Sequence, residues 1–275
     1  MSTADTPAQS GSPQVFTIGG AIEYGWRATW KNFWRFLLVA VIYVAINAAV
    51  STVTGLVSPS DLDGQGMDAL DMFTAASYSV LSIAASIVGF LVSAFLLLGL
   101  IRVALGVVKG NRVEVGEIFS FNGFGRYLLN SILIGIVMAV LLAIVLVPTL
   151  LLTIATENVL WIALGGVLSV VFVVLISLAF TFFGYLILDK DSRGVSSLGA
   201  SWALVRPHFW SILGLNLLVA LIAVALIIGA VVAGVLMLVI GLLVTLPVAG
   251  VLAFGISTLS IAFAYRTISG EPVAN

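Results

Sequence analysis

The side chains that most often do chemistry in proteins are scarce in this sequence. Cysteine is absent and histidine occurs once, as His208, among 275 residues. These two counts exclude thiol nucleophiles, disulfides, iron–sulfur clusters and zinc sites built from His and Cys. We therefore expect no catalytic residue, no cofactor-binding residue and no metal ligand, and we predict that the protein is not an enzyme.

Long apolar segments dominate the chain, and the polar side chains within them are uncharged. No Asp, Glu, Lys, Arg or His lies at the centre of a segment, so an intramembrane hydrolase would lack its nucleophile and base. Amide side chains do occur there, at Asn47, Asn130 and Asn216. We expect them to form hydrogen bonds between helices. A substrate path that they line is the alternative.

Two prolines lie inside apolar segments, and each removes one backbone hydrogen bond. We predict helix kinks at Pro148 and Pro247. Kinked helices line the sites of transporters, but they also occur in bundles with no transport function. The small-residue pairs Gly229/Ala233 and Ala230/Gly234 predict close helix packing.

A pattern of aromatic and basic residues precedes the first apolar segment. Trp26, Trp30 and Trp34 recur every four residues and so share one face of a helix, predicted over residues 17 to 34. The neighbouring stripe contains three cations, Arg27, Lys31 and Arg35, and Glu23, four residues before Arg27, predicts an ion pair on the helix surface. This pattern is typical of a helix that lies in the cytoplasmic headgroup layer. Anchoring by an aromatic belt explains most of it, and recognition of anionic lipid headgroups is the sharper hypothesis.

The composition places the chain in a membrane. Hydrophobic residues make up 61% of the chain and charged residues 8%, and the mean hydropathy is +1.25. A soluble domain needs about 25% charged residues to cover its surface. The net charge of −1 gives no electrostatic basis for binding nucleic acid.

Each of six apolar segments exceeds the roughly 20 residues that a helix needs to cross the bilayer. The sequence predicts spans at about 36–57, 79–108, 128–155, 159–188, 209–232 and 236–265. Between the last two spans, the glycines between 229 and 241 must hold a tight turn. We interpret 16–268 as one all-α membrane domain, 1–15 as a disordered cytoplasmic tail and 269–275 as a short cytoplasmic tail.

The basic residues segregate to one side of this arrangement. With six spans, all eleven Lys and Arg residues fall at the same membrane surface, and the opposite gaps contain Asp and Glu without Lys or Arg. The positive-inside rule makes the basic side cytoplasmic, so both termini are predicted to be cytoplasmic. We expect a multi-pass protein of the cytoplasmic membrane of a bacterium.

Three segments that precede odd-numbered spans share one layout, and we call them the lead-ins. In the first, Trp26 is followed seven residues later by Phe33 and then by Trp34. The third repeats this spacing with Trp202, Phe209 and Trp210, and the second does so more loosely with Phe119, Arg126 and Tyr127. The pattern predicts three copies of an amphipathic helix followed by a membrane hairpin.

Three segments also resemble a known family. They are FTIGGAIEYGWRATWKNFW, VVKGNRVEVGEIFS and ILDKDSRGVSSLGASWALVRPHFW. The chain resembles the six-helix bacterial membrane proteins related to the membrane domain of some glycerophosphoryl diester phosphodiesterases, over residues 16 to 268. The resemblance implies a polytopic protein without the catalytic domain.

Two functions remain open at this point. The first is a non-enzymatic membrane protein that organises envelope lipids or scaffolds partner proteins through its amphipathic cytoplasmic helices. The alternative is a small transporter or channel for an apolar or lipid-like substrate. The expected partners are anionic lipid headgroups at the cytoplasmic face, and a second copy or a protein partner is a further possibility.

Overall fold

A computed structural model describes residues 16–57, 69–111, 115–190, 196–237 and 241–274. The predicted tail of residues 1–15 lies outside them, as does the acidic segment 61–68. The described residues form α-helices and short 3₁₀ helices. The α-helices are α1 (Ile18–Lys31), α2 (Phe33–Val57), α3 (Ala69–Val108), α4 (Phe124–Thr156), α5 (Leu160–Ala179), α6 (Phe183–Asp189), α7 (Ser196–Val205), α8 (Phe209–Leu236) and α9 (Leu242–Ile268).

The predicted class is confirmed, because the described residues are all-α and contain six helical segments long and apolar enough to cross a membrane. These segments are Phe33–Gly55, Val80–Val108, Phe124–Thr156, Leu160–Asp189, Ser196–Leu236 and Val244–Ile268. The protein is therefore a multi-pass membrane protein. Its helices remain apolar on nearly every face because the surrounding solvent is hydrocarbon.

The described residues belong to two compact units. One unit contains α1, the end of α3, α8 and α9. In this unit α9 packs against both α8 and α1. It contributes more buried side chains than either of them, including Ile256, Leu259 and Tyr265.

The second unit contains α2, most of α3, and α4 to α7. Its core is built from Ala94 and Leu98 of α3, Tyr127 of α4 and Ile187 of α6. The Tyr127 and Phe183 rings stack with centroids 5.0 Å apart. Burial in this unit concentrates around these residues, whereas the outer halves of α4 and α5 expose apolar side chains along most of their length.

Span four differs from its prediction. The sequence predicts one helix over 159–188, but α5 ends at Ala179 and α6 begins at Phe183. Phe180, the residue after α5, donates its backbone N–H to the Ile176 carbonyl and so closes the helix. The cause of the interruption lies in α7, as described below.

The turn between spans five and six falls within the predicted window but later than the predicted span end. Helix α8 continues to Leu236 rather than 232, and Ala230 and Gly234 are buried within it. Gly241 lies at the turn, where a Cβ atom would be 2.5 Å from the Met237 Cβ and 3.2 Å from the Gly234 Cα. The chain therefore approaches the end of α8 most closely at Gly241, where a larger residue would clash.

Helices α3 and α9 end in the same backbone motif. Gly110 and Gly270 have φ angles of 85° and 73°, in the left-handed region that glycine enters without strain. The following residues, Asn111 and Glu271, each donate a backbone N–H to a carbonyl five residues earlier, at 2.9 Å in both cases. This Schellman motif satisfies carbonyls that would otherwise be unpaired at a helix end.

The C-terminal segment predicted as a short cytoplasmic tail is bonded to the fold over its described residues, 269–274. The buried Arg266 guanidinium donates to the Pro272 carbonyl through Nε at 2.9 Å and Nη2 at 2.7 Å. Its Nη1 lies 3.1 Å from a Glu271 carboxylate oxygen. The Ala274 N–H then donates to the Val108 carbonyl at 2.9 Å, so residues 271–274 continue the structure beyond α9.

Candidate lipid-interface site

The first lead-in forms a capped helix, α1. The Thr17 hydroxyl accepts a hydrogen bond from the Gly20 N–H at 3.2 Å, which confirms the predicted helix start. The helix ends at Lys31, three residues before the predicted end, because the Asn32 backbone N–H turns back onto the last carbonyls of α1. Trp34 and Arg35 therefore lie on α2, one helix further along the chain.

The outer face of α1 carries the predicted aromatic and charged residues. The Trp26 and Trp30 rings are exposed and meet edge to face with centroids 6.0 Å apart. The predicted ion pair is present, with Arg27 Nη2 3.1 Å from Glu23 Oε1 on the exposed surface. Lys31 is exposed as well. The face therefore presents two indole rings beside basic side chains.

The inner face of α1 consists of small residues that the sequence analysis did not single out. Ala21, Gly25 and Thr29 recur every four residues, and all three are buried. A Cβ atom on Gly25 would lie 2.9 Å from the Ile256 carbonyl oxygen of α9 and would clash with the Ser260 hydroxyl. This spacing of small residues lets two helices approach closely, and it fixes α1 against α9.

A second close contact fixes the same pair of helices. A Cβ atom on Gly255 of α9 would lie 2.5 Å from the Thr29 methyl carbon. The Thr29 hydroxyl donates to the Gly25 carbonyl of its own helix at 2.7 Å, which leaves the methyl group for the contact with α9. Trp26 and Trp30 thus project from a helix whose position is set by packing.

The third lead-in, α7, repeats the burial pattern of α1. Ser197, Ser201 and Val205 are buried at the positions that correspond to Ala21, Gly25 and Thr29 in α1. The tryptophans between them match as well, since Trp202 is 45% exposed and Trp26 is 44% exposed. The predicted relation between the first and third lead-ins therefore extends to which face of each helix is buried.

The match continues into the spans that follow. Phe33 and Trp34 are the first two residues of α2, and Phe209 and Trp210 are the first two residues of α8. Each pair meets edge to face, with centroids 5.7 Å and 5.5 Å apart. The exposed fractions of the two tryptophans are 78% and 79%.

The second lead-in departs from the predicted layout. The described part forms a short 3₁₀ helix, Val115–Phe119, rather than an amphipathic α-helix. The guanidinium of Arg102 on α3 holds the end of this segment by donating to the Glu117, Ser120 and Asn122 carbonyls at 2.9, 3.0 and 2.6 Å. The Glu117 carbonyl also accepts the Ser120 N–H at 3.2 Å, a hydrogen bond of the 3₁₀ helix. Tyr127, the counterpart of Trp34, is buried in the core.

All three lead-ins contact the second span of another hairpin. The 3₁₀ helix of the second lead-in approaches α3 so closely that a Cβ atom on Gly99 would be 2.8 Å from the Ile118 Cα. The first lead-in packs on α9, and the third packs on α5 and α6. Each lead-in therefore contacts the hairpin before its own, with the first contacting the last.

Tyr24 on α1 is a partly buried phenol near two arginines. Its hydroxyl is 3.5 Å from the Val107 carbonyl oxygen, and its ring lies 4.9 Å from the Phe263 ring. Burial raises the pKa of Tyr24 to about 12, although the positive charges of Arg266 and Arg27 act in the opposite direction. The phenol is therefore neutral and structural under ordinary conditions.

The three predicted intramembrane amides differ in their partners. Asn130 Nδ2 donates to the Ser197 hydroxyl at 2.8 Å, and Ser93 donates to Asn47 Oδ1 at 3.2 Å. Both are hydrogen bonds between helices, as predicted. Asn216 instead donates to the Ile212 carbonyl of its own helix at 2.9 Å. Within the described residues, the three amides do not form one polar centre.

Both predicted kink prolines lie inside helices that continue past them. Pro148 is internal to α4 and Pro247 is internal to α9. The next residue, Thr149, donates its hydroxyl to the Val145 and Leu146 carbonyls at 3.0 Å, and it packs against Gly165 of α5. Hydrogen bonding and packing beside Pro148 thus help to maintain α4 through the proline.

Sequence reasoning missed Ser197 and Ser201, which fix the third lead-in. Ser197 accepts from Asn130, and Ser201 bonds the backbone of the interrupted span four. A signal was available, because both lead-ins place small residues at four-residue spacing on the stripe that directly precedes the tryptophan, Gly25 before Trp26 and Ser201 before Trp202. That spacing indicates close packing but does not identify the partner helix.

Comparisons of the chain with protein-family models, curated proteins and solved structures give no match. The resemblance to the phosphodiesterase-related membrane family therefore stays a prediction. The fold defines a multi-pass membrane protein, and the paired lead-ins define its candidate site.

Proposed function

We propose that this protein is a non-enzymatic membrane protein that organises envelope lipids, or scaffolds partner proteins, through its first and third lead-ins. Anionic lipid headgroups at the cytoplasmic face are the proposed ligands. The chain would lie in the cytoplasmic membrane of a bacterium with both termini cytoplasmic, as the segregation of its basic residues favours.

The observation that carries this proposal is the duplicated presentation of tryptophan. Trp26 and Trp202 are half-exposed on packed helices, and Trp34 and Trp210 are about four-fifths exposed at the start of a span. Indole rings prefer the boundary between headgroups and acyl chains. Two copies of one geometry favour a selected interfacial function over scattered surface aromatics.

The charges around the first lead-in are unequal. Arg27 is neutralised in part by Glu23, whereas Lys31 and Arg35 are exposed. A cation near an anionic surface contributes about 1 kcal/mol. Lys31 and Arg35 should therefore supply most of the preference for anionic lipid, about 2 kcal/mol or roughly 30-fold in affinity.

The experiment measures the association of spin-labelled phosphatidylglycerol and phosphatidylcholine with the full-length protein in bilayers. The wild type should prefer phosphatidylglycerol, and the double variant Lys31→Gln/Arg35→Gln should lose most of that preference. Glu23→Gln/Arg27→Gln is the matched control, because it removes both members of an exposed ion pair and leaves the net charge unchanged, and it should retain the preference. Equal association of both lipids with the wild type would refute the proposal.

A groove on α3 favours the alternative function of transport for a lipid-like substrate. Its volume is about 480 Å³, and it is lined by Ser82, Ile83, Ser86, Ile87, Phe90, Leu91 and Ile132. The lining is apolar apart from two hydroxyls, so it suits an acyl chain. Transport of a fluorescent lipid between leaflets by the reconstituted protein, abolished by Ile87→Trp, would support this alternative.

A further inference from the structure

Span four is interrupted at a place where its own sequence gives no reason for a break. The residues between α5 and α6 are Phe180, Thr181 and Phe182, and none of them is glycine or proline. Sharp helix breaks usually occur at proline, at glycine, or where a side chain enters the hydrogen-bond ladder. The last cause applies here.

The inserted group is the hydroxyl of Ser201. It donates to the Ala179 carbonyl at 2.9 Å and accepts from the Phe182 N–H at 3.3 Å. In a continuous helix the Ala179 carbonyl would accept from the Phe183 N–H, and the Phe182 N–H would donate to Leu178. One hydroxyl from α7 thus replaces two hydrogen bonds of the span.

Ser197 gives α7 a second polar attachment on the same face. It lies one helical turn before Ser201 and accepts from Asn130 Nδ2 at 2.8 Å, and both serines are fully buried. The break in span four and the docking of α7 are therefore one structural event. If α7 leaves, the Ala179 carbonyl and the Phe182 N–H lose the hydroxyl that bonds them. Hydrocarbon offers no replacement.

A continuous span four would satisfy those groups without α7. Phe180, Thr181 and Phe182 are compatible with helix, and ordinary helical hydrogen bonds would then run through them. The segment therefore has two arrangements in which its backbone is paired. One has α7 docked and span four broken, and the other has α7 released and span four continuous.

A lipid surface would bind released α7 more strongly than docked α7. Leu198, Trp202 and Val205 lie on one stripe of α7, but Leu198 and Val205 are buried when α7 is docked. Release would present all three to the membrane interface, beside the exposed Arg206. A ligand shifts an equilibrium toward the state that it binds more tightly. Because release adds Leu198 and Val205 to the surface that α7 presents to the membrane, the membrane interface favours the released state.

We propose that α7 is a latch that holds span four broken, and that anionic lipid at the third lead-in releases it. This inference rests on the proposed function, since it gives that function a conformational consequence. It assigns Ser201 and Ser197 as the residues that set the balance between the two arrangements.

The experiment uses pulsed electron–electron resonance on the full-length protein in nanodiscs. The chain contains no cysteine, so spin labels can be placed at chosen sites. Gly125→Cys with Ala203→Cys reports the docking of α7 on α4, and both positions are exposed. Gly166→Cys with Lys190→Cys reports the length of span four across the break. Nanodiscs contain phosphatidylcholine alone or an equal mixture with phosphatidylglycerol.

In phosphatidylcholine the wild type should give one narrow distance for each pair. Ser201→Ala should add a second, longer distance to both pairs, because release and straightening occur together. Phosphatidylglycerol should raise the released fraction of the wild type by roughly fivefold, the factor expected for one cation, Arg206, at an anionic surface. Ser86→Ala is the control, since its hydroxyl bonds the Ser82 carbonyl of its own helix, and it should change neither distance.

The possible results separate the latch from the proposed function. Unchanged distances in Ser201→Ala would overturn the latch, and where that variant does not fold, Ser197→Ala provides the same test. Changed distances in the variants without any response to phosphatidylglycerol would overturn the lipid control and leave the latch in place. A lipid response of α7 with no lipid preference at Lys31 and Arg35 would contradict the proposed function at the first lead-in alone.

Discussion

The first and third lead-ins are similar in outline and different in chemistry. Both bury one small-residue face, and both leave a tryptophan about 45% exposed at the matching position. In α1 the buried face is held by close packing of Gly25 and Thr29 on α9. In α7 the corresponding face is held by hydroxyls, since Ser201 bonds the backbone of span four.

The difference shows which features the repeat retains. The register of buried and exposed positions is the same in both copies, whereas the side chains that make the contact are not. A face built from glycine holds its helix by van der Waals contact, which is lost sharply with distance. A face built from serine holds its helix by hydrogen bonds. Because span four can make ordinary helical hydrogen bonds instead, this attachment of α7 has an alternative. We infer that α1 is the fixed copy and α7 the adjustable one.

The largest effect is expected from Gly25→Val, which would break the packing that defines the fixed copy. Its Cβ would lie 2.9 Å from the Ile256 carbonyl oxygen, and that backbone atom cannot move aside cheaply. We expect a loss of about 3 kcal/mol in the free energy of unfolding, measured by denaturation in mixed micelles. Gly199→Ala in α7 is the control, because the space there is open. It should be neutral or stabilising by up to about 1 kcal/mol. A tolerated Gly25→Val would show that α1 is not held by this contact.

The ends of α3 and α9 allow a matched comparison of two equivalent glycines. Gly110→Ala and Gly270→Ala should each cost about 1–2 kcal/mol, because alanine is strained in the left-handed region. Gly110→Ala should cost more, since its Cβ would lie 2.9 Å from the Ala274 Cβ, whereas the space at Gly270 is open. Adding Ala274→Gly should restore that excess. Equal losses in the two single variants would mean that residues 271–274 are not docked.

A smaller effect is expected on the pH dependence of stability, to which the first lead-in contributes and the third does not. The pKa of Tyr24 is raised from 10.0 to about 12 by burial, so the folded protein holds the phenol proton more tightly than the unfolded chain. The stabilisation is complete below about pH 10 and is lost as the pH rises toward 12. Alkaline unfolding of the wild type should thus depend more steeply on pH than that of Tyr24→Phe. In α7 the matching residue is Ala200, so the third lead-in contributes no such dependence. Identical alkaline curves would place Tyr24 in contact with water.

The smallest effect on stability is expected at the two most exposed tryptophans. Trp34→Ala and Trp210→Ala should each change the free energy of unfolding by less than about 0.5 kcal/mol, because each side chain is about four-fifths exposed. Both should, however, reduce by similar amounts the fluorescence quenching produced by lipids brominated near the headgroup. Quenching that falls in one variant and not in the other would show that the two copies lie at different depths.

Local patterns in the sequence were sufficient for the helical class, the six spans and the start of the first lead-in. The helix cap at Thr17, the ion pair between Glu23 and Arg27 and the interhelical bonds of Asn47 and Asn130 depend on near neighbours or on single polar groups in lipid. These features followed from residue type and spacing.

Features that depend on distant residues could not be predicted in this way. The Ser201 hydroxyl enters the hydrogen-bond pattern at the break in span four, and the Arg102 guanidinium binds carbonyls of the second lead-in. The residues of the break in span four, Phe180 to Phe182, include no glycine or proline, because the inserted side chain acts from another part of the chain. The docking of residues 271–274 depends similarly on the burial of Arg266.

The structure also changes the best position for a topology label. Ser197 is an obvious choice from the sequence, but it is fully buried. Gly19 on α1 and Ala203 on α7 are exposed, and a side chain at Gly19 meets no atom within 4 Å. Ser60 lies in the gap between spans one and two.

The central proposal, made from the segregation of the basic residues, is that the first and third lead-ins occupy the same membrane surface, on the cytoplasmic side. Its most direct test places single cysteines by Gly19→Cys, Ala203→Cys and Ser60→Cys and measures their reaction with an impermeant thiol reagent on intact cells. The cysteines at 19 and 203 should react after the membrane is opened, whereas the cysteine at 60 should react in intact cells. Labelling at 19 and 203 from opposite sides would contradict the shared surface and the lipid function proposed for it.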